Sequence, residues 1–301
     1  MEQIANDLRN AGVEKVYTDH VLAGYTTWKI GGKADLFVVP NKEEELVQTV
    51  QILNRSGIPW MLLGRGSNVL ISDKGYRGAV IKLGPAFEKV RFDGEDVYAG
   101  GACSFIRLSV MAAREGLTGL EFAGGIPGTV GGAVYMNAGA HGSDVSRILK
   151  YADVVLETGE RVRWSNEDLK FKYRFSRLHE EKGIVTNAVF ALRYGDRKEI
   201  AAAMASNKER RLRTQPLSSA CAGSVFRNPP GDHAARLIES AGLKGTGVGG
   251  AIVSEKHANF IVNTGQATAN DVLALIDKIR ETVLKKHGVE LQTEVLWIGE
   301  R

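Results

Sequence analysis

At 301 residues, 44% hydrophobic and 25% charged, the chain is long enough for two or three domains with a sizeable core. Its net charge of +4, from 39 basic and 35 acidic residues, is too slight to imply nucleic acid as a partner but suits small anionic ligands. Cys103 and Cys221 lie far apart with no CxxC spacing, so free thiols in a reducing compartment are expected rather than a disulfide scaffold. The histidines (20, 141, 179, 233, 257, 287) lack metal-ligand spacing, and no metal site is expected. Residues 1–20 are amphipathic and have no apolar h-region, which points to the cytoplasm.

In chain order, Asn41 and Glu44 supply a capping-box-like helix start. Leu46, Val47, Val50 and Leu53 form its apolar stripe, and Gly57 ends it. Strand, loop, strand follows: Ile58 to Leu63, then Gly64-Arg65-Gly66-Ser67-Asn68, then Val69 to Ile71. Ser104 predicts the cap of a second helix, striped by Ile106, Val110 and Met111 and stopped by Gly116. Beyond it lies Phe122–Ala140, 19 residues without a charge, inside a window (119–142) where 8 of 24 residues are glycine. Strand-like runs occupy 152–164 and 183–193. A helix from about 198 to 213 ends in the basic run Lys208-Glu209-Arg210-Arg211-Leu212-Arg213, read as a solvated helix end. Turns over 214–231 then lead to a helix around 233–241 and strand-like runs at 250–253 and 259–262. Thr268, with Asp271 three residues on, starts a helix striped by Leu273, Leu275, Ile276, Ile279 and Val283. Gly288 stops it, and 289–298 is predicted as a closing strand.

The uncharged stretch is nearly as long as a membrane span, which needs about 20 predominantly apolar residues. Six glycines, a proline and an asparagine interrupt it, so the better reading is backbone that must approach a ligand closely. The Gly64–Asn68 loop follows a strand, and its N–H groups with Ser67 and Asn68 suit a pyrophosphate; taken alone it equals a tight surface turn. No Walker loop exists. A formal GxGxxG at Gly245, Gly247 and Gly250 follows a helix-like segment, so the Rossmann arrangement is missing. Two glycine-rich strand-loops, one per α+β unit, instead suggest a phosphate-bearing cofactor held in a non-Rossmann mode. Arg174 is either a carboxylate clamp or an ordinary ion pair. Ser224 has small neighbours and no adjacent His or Lys, and GxSxG is absent. Glu294 shares strand parity with Leu296 and Ile298, at a wet strand end or in a pocket.

Taken together, several motifs resemble the MurB family of UDP-N-acetylenolpyruvoylglucosamine reductases. They are Leu63–Asn68, Gly124-Gly125-Ile126-Pro127-Gly128-Thr129-Val130-Gly131-Gly132, Asn137-Ala138-Gly139-Ala140-His141-Gly142, Tyr173-Arg174-Phe175-Ser176, the Gly223–Pro229 segment and the Glu294 strand. They occur in the family's order over nearly the whole chain. The resemblance implies an α+β fold, with a two-part FAD-binding region of the vanillyl-alcohol-oxidase/PCMH type and a C-terminal α+β substrate domain. The expected divisions are 1–85 and 86–197 for the two FAD-binding subdomains and 198–301 for the substrate domain. It implies a bacterial flavoenzyme of peptidoglycan synthesis, with non-covalent FAD and NADPH as electron donor, acting on an enolpyruvyl UDP-sugar. No nucleic-acid, membrane or protein partner is implied.

On the same basis FAD is assigned Gly64, Arg65, Gly66, Ser67, Asn68, Gly124, Gly125, Ile126, Pro127, Gly128, Thr129, Gly132, Asn137, Gly139 and Ala140. Arg174 and Glu294 are assigned to the enolpyruvyl carboxylate, Ser224 is the proton donor, and Tyr173, Asn228 and Asn259 contact the substrate. The chain departs from the better-known subtype in two ways. It has no room for a tyrosine-bearing loop after the YRFS motif, and its hinge reads Arg213-Thr214-Gln215-Pro216 without a lysine. Both departures resemble the shorter, second subtype.

Overall fold

The computed structural model describes residues 1–300. Helix α1 (Glu2–Asn10) leads into β1 (Val16–Val21) and β2 (Lys33–Val38). Helix α2 (Glu43–Arg55) precedes β3 (Trp60–Leu62), β4 (Val69–Ile71) and β5 (Tyr76–Ile81). Strands β6 (Val90–Asp93) and β7 (Asp96–Gly100) come next, then α3 (Phe105–Arg114), β8 (Leu117–Thr118) and α4 (Val130–Tyr135). The short pair β9 (Gly139–Ala140) and β10 (Ser143–Asp144) is followed by β11 (Leu149–Leu156), β12 (Arg161–Ser165), β13 (Gly183–Ala191) and β14 (Arg193–Tyr194). The last third holds α5 (Arg197–Thr214), α6 (Ala234–Ser240), β15 (Gly247–Val248), β16 (Ala251–Val253), β17 (Ile261–Asn263), α7 (Ala269–His287) and β18 (Leu296–Ile298).

The chain packs as two compact units. Unit 1 comprises Met1–Thr18, Asp35–Gly64 and Gly78–Arg210; unit 2 comprises Asp19–Ala34, Arg65–Arg77 and the chain from Arg211 onward. In unit 1, five antiparallel strands run in the order β12-β11-β13-β7-β6. Phe105, Leu108 and Ala112 of α3 and Val130 and Val134 of α4 share its core with Val185 and Phe190 of β13. A second core in unit 1 joins Ala5 and Leu8 of α1 to Leu46, Val50 and Leu53 of α2, with Trp60 and Ile81. A smaller sheet runs β1-β2-β5-β3, in which β3 and β5 are parallel.

Unit 2 is built on α6 and α7, whose apolar faces enclose Trp28, Leu70, Phe226, Val253 and Ile261. The C-terminal strand β18 pairs in parallel with β4, Leu296 opposite Val69. The start and stop signals of α7 hold in full. Thr268 and Asp271 form a reciprocal capping box, and Gly288 ends the helix with a left-handed φ of 69°.

Several expectations need correction. The capping box at Asn41 and Glu44 does not form: Glu45 accepts from Asn41 N–H, and the Asn41 side chain accepts from Ala86 N–H. Burying three apolar side chains contributes about 1.5–3 kcal/mol each, against about 1 kcal/mol for a cap, so α2 forms without it. Ser104 does cap α3, accepting from Arg107 N–H at 3.4 Å. The buried face of that helix, however, is Phe105, Leu108, Ser109 and Ala112. Ile106, Val110 and Met111 are only half-buried, because the i, i+3, i+4, i+7 set anchored on Phe105 matches the sheet. The second glycine-rich segment is not a strand-loop. It winds through a 3-10 turn (Glu121–Gly125) and α4 before β9. Of 289–298, only Leu296–Ile298 is regular strand. The basic run is not wholly solvated either, since Arg211 is half-buried with its Nε shielded from solvent.

Candidate functional site

Unit 1 carries Gly64, the second glycine-rich segment and Arg174. Gly64 and Thr129, one from each predicted cofactor segment, are brought together here. A Cβ on residue 64 would lie 2.9 Å from Thr129 Oγ1, so only glycine fits. That same hydroxyl accepts from Gly132 N–H at 3.2 Å and caps α4, while Lys82 Nζ donates to Gly64 O at 2.7 Å. Gly132 is exposed on α4 and leaves bare backbone at the surface, and Gly124, Gly125 and Ile126 are half-buried.

Arg174 sits in a two-residue turn closed by two backbone bonds of 3.1 Å between Lys172 and Phe175. Its φ is +55°, a conformation that costs a non-glycine residue about 1 kcal/mol or more. Three contacts hold the turn. Arg174 Nη2 donates to Gly139 O at 3.1 Å, Asn137 Nδ2 donates to Lys172 O at 3.1 Å, and Ser176 Oγ donates to Tyr135 O at 2.7 Å. The His179 ring is stacked against both Tyr135 and Phe175, with centroids 4.0 and 5.1 Å away. Tyr173 is 52% exposed, and the Arg174 guanidinium lies 4.8 Å above its ring. Neither α4 nor His179 was marked in the sequence as a support of Arg174. The Thr129–Val130–Gly131–Gly132 capping pattern was the signal available.

Unit 2 carries Arg65–Asn68, Ser224, Asn228, Asn259 and Glu294. Gly66 has a φ of +62°, and a Cβ there would lie 2.3 Å from Tyr25 O. Among the described residues, no hydrogen bond engages the backbone N–H of Arg65 or Gly66. Asn68 Nδ2 donates to Glu294 O at 3.2 Å, and Leu296 N–H donates to Asn68 O. The backbone of Glu294 in turn donates to Val225 O at 2.8 Å. Asn68, the Ser224–Val225 peptide and Glu294 therefore lie in one neighbourhood. Ser224 is half-buried and its hydroxyl has no hydrogen bond among the described residues. Gly223 before it, at φ +74°, has open space where a side chain would be. Asn228 accepts from Ala234 N–H at 3.1 Å, next to the start of α6.

Three buried polar atoms of unit 2 lack partners among the described residues: Arg211 Nε, Gln215 Oε1 and Arg227 Nε. Burial holds the Arg211 pKa below the usual guanidinium value, and the Cys221 thiol is likewise pushed up by burial. This group was not legible beforehand, because a basic run at a helix end is usually solvent-exposed. The formal GxGxxG lies in a tight β15–β16 hairpin with no helix after it. No helix among the described residues is long and apolar enough to cross a membrane.

His257 is held below the ordinary imidazole pKa by burial first and then by Lys244; Glu239 opposes this. Its Nδ1 accepts from Asn259 N–H at 3.3 Å, a bond only the neutral ring makes. Unfolding therefore takes up a proton below about pH 6.5. The contribution to stability is complete above that value and is lost as pH falls through the folded pKa. The melting temperature of the wild type is expected to fall more between pH 7.5 and 5.5 than that of His257→Gln. Equal falls would show that His257 is not the titrating group.

Comparison with known proteins gives consistent results. The model of the UDP-N-acetylenolpyruvoylglucosamine reductase C-terminal domain matches residues 215–298, and an FAD binding domain matches 34–165. A UDP-N-acetylenolpyruvoylglucosamine reductase from Anoxybacillus flavithermus is 50% identical over 303 residues, covering all of both chains. The chain belongs to the UDP-N-acetylenolpyruvoylglucosamine reductase family. The crystal structure of the Thermus caldophilus member, MurB, superposes with a TM-score of 0.81 at 37% identity, over 94% of this chain and 98% of that one. Berberine bridge enzyme from Eschscholzia californica shares the fold alone, with a TM-score of 0.51 at 15% identity over 64% of this chain and 44% of that one. The MurB fold is thus the α+β, PCMH-type arrangement with an added C-terminal domain.

Proposed function

We propose that this chain reduces the enolpyruvyl group of UDP-N-acetylglucosamine enolpyruvate to UDP-N-acetylmuramate, using NADPH and non-covalent FAD, in peptidoglycan synthesis. The observation that carries this reading is the 50% identity to a reductase of that name across the full length of both chains. The residues present fit FAD. Gly64 and Gly66 leave room for close backbone approach, and the N–H groups of Arg65 and Gly66 suit a diphosphate. The uncharged Gly124–Ala140 surface suits a planar ring system. When bound, the cofactor supplies the hydride that NADPH delivers.

The net reaction adds a hydride at the β-carbon of an enol ether and a proton at the α-carbon, with NADPH oxidised to NADP⁺. As the double bond is reduced, negative charge builds on the substrate carboxylate. A guanidinium already fixed in its turn, Arg174, stabilises that charge without reorganising. Glu294, if protonated, adds a hydrogen bond to the same carboxylate. The resulting enolate-like carbon is basic enough to take a proton from an ordinary hydroxyl, so Ser224 needs no activating histidine. Tyr173 and Asn228 belong to the substrate side of the site, whereas Asn259, buried with both amide atoms bonded to Phe226, is not taken as a direct substrate contact. Arg211, half-buried with its Nε unpartnered among the described residues, suits the sugar nucleotide's diphosphate, where the second subtype has no tyrosine loop. In this reading 1–85 and 86–197 serve the cofactor and 198–301 the substrate. Buried Cys103 and half-buried Cys221, both free, suit the cytoplasm.

Mass analysis of the product tests the reading. NADPH and UDP-N-acetylglucosamine enolpyruvate are expected to give a product heavier by two hydrogens, one of them from solvent, with one NADPH consumed per turnover. Peroxide formation without a reduced sugar nucleotide would instead indicate an oxidase.

A further inference from the structure

Asn259 makes a paired contact whose form explains why an asparagine stands there. Its Oδ1 accepts from Phe226 N–H at 2.9 Å and its Nδ2 donates to Phe226 O at 2.8 Å. The side-chain amide thus bonds both backbone groups of one residue as a neighbouring strand would, and a carboxamide offers donor and acceptor side by side for this. The residue is 3% exposed, and its own carbonyl accepts from Val225 N–H at 2.9 Å. On the other side Val225 O receives the N–H of Glu294 at 2.8 Å, and Phe226 forms an isolated bridge with Thr293. The Val225–Phe226 segment is therefore fastened from two directions, with both side chains buried. Ser224 is the first residue to emerge from it.

We infer that Asn259 is a positioning residue: it clamps Val225–Phe226 so that the Ser224 hydroxyl and the Glu294 carboxyl are held at fixed places. This deepens the proposed function and rests on it. The Asn259 amide is committed to protein backbone at both atoms, so its effect reaches the substrate through Ser224 and Glu294.

The test uses Asn259→Asp, which keeps the acceptor and sets a carboxylate oxygen against Phe226 O. If that variant does not fold, the smaller, uncharged Asn259→Ser takes its place. In the FAD-loaded enzyme, reduction by NADPH is expected to stay within about twofold of wild type. Reoxidation by UDP-N-acetylglucosamine enolpyruvate should slow about 10- to 100-fold, the scale of an ångström-sized misplacement. The solvent deuterium isotope effect on that step should rise as proton delivery becomes limiting. Without cofactor or substrate, the Phe226 and Glu294 amides should exchange faster with solvent. In a Ser224→Ala background the Asn259 change should add less than it costs alone, because the part that acts through the hydroxyl is already missing and only the part through Glu294 is left. Wild-type reoxidation in the Asn259 variants beside a slow Ser224→Ala would overturn this inference alone. So would an equal loss added to Ser224→Ala. Wild-type reoxidation in Ser224→Ala itself would remove the proton-donor reading, and this inference with it.

Discussion

In a Ser224→Ala variant, NADPH bleaches the flavin at the wild-type rate while reoxidation by UDP-N-acetylglucosamine enolpyruvate falls by about 10²- to 10⁴-fold, the usual worth of a positioned general acid. Alanine removes one oxygen and little else, because the Ser224 hydroxyl makes no hydrogen bond among the described residues and leaves no partner stranded. The loss should therefore come without a fall in melting temperature. Rapid mixing of the pre-reduced enzyme with substrate, followed at the flavin's visible band, measures it. Reoxidation at the wild-type rate would take Ser224 out of the proton-donor role.

Arg174→Ala is expected to slow the same half-reaction by about 10²- to 10³-fold, the loss seen when one preorganised donor is removed from a developing anion. Arg174→Lys should recover only part of it, since an ammonium keeps the charge but not the two-pronged fork that matches a carboxylate. Because residue 174 has a φ of +55°, Arg174→Gly offers a control for folding. Glycine relieves the backbone strain, so that variant should be as stable as wild type and still slow in reoxidation. An unchanged rate in all three would assign the arginine to structure, through its bond to Gly139 O.

What could be read in the chain divides along physical lines. The limits of α7 were legible because Thr268, Asp271 and Gly288 act locally on their own helix ends. Loop 64–68 was legible as a close-approach site because glycine at 64 and 66 answers contacts with Thr129 and Tyr25 that any Cβ would break. The partner of β4 was not legible: it is β18, more than two hundred residues later, and nothing in Val69–Ile71 encodes that pairing. Strands β6 and β7 were readable but not read: their burial alternates along Val90–Asp93 and Asp96–Gly100, and Gly94, at φ +59°, sits in the two-residue turn that joins them. The fold of the second glycine-rich segment was hidden because glycine opposes helix by about 1 kcal/mol, and the Thr129 cap with the buried Val130 and Val134 outweighs it in α4. Arg174, Ser224 and Glu294 were recognisable only as parts of a motif series. Singly, each has an ordinary structural explanation.

One anaerobic cuvette tests the central claim most directly. The purified holoprotein should show the visible absorption of an oxidised flavin, lose it on addition of NADPH, and regain it on addition of UDP-N-acetylglucosamine enolpyruvate with the reduced sugar nucleotide as product. A colourless protein that takes up no FAD, or a bleached flavin that this substrate does not reoxidise, would contradict the account.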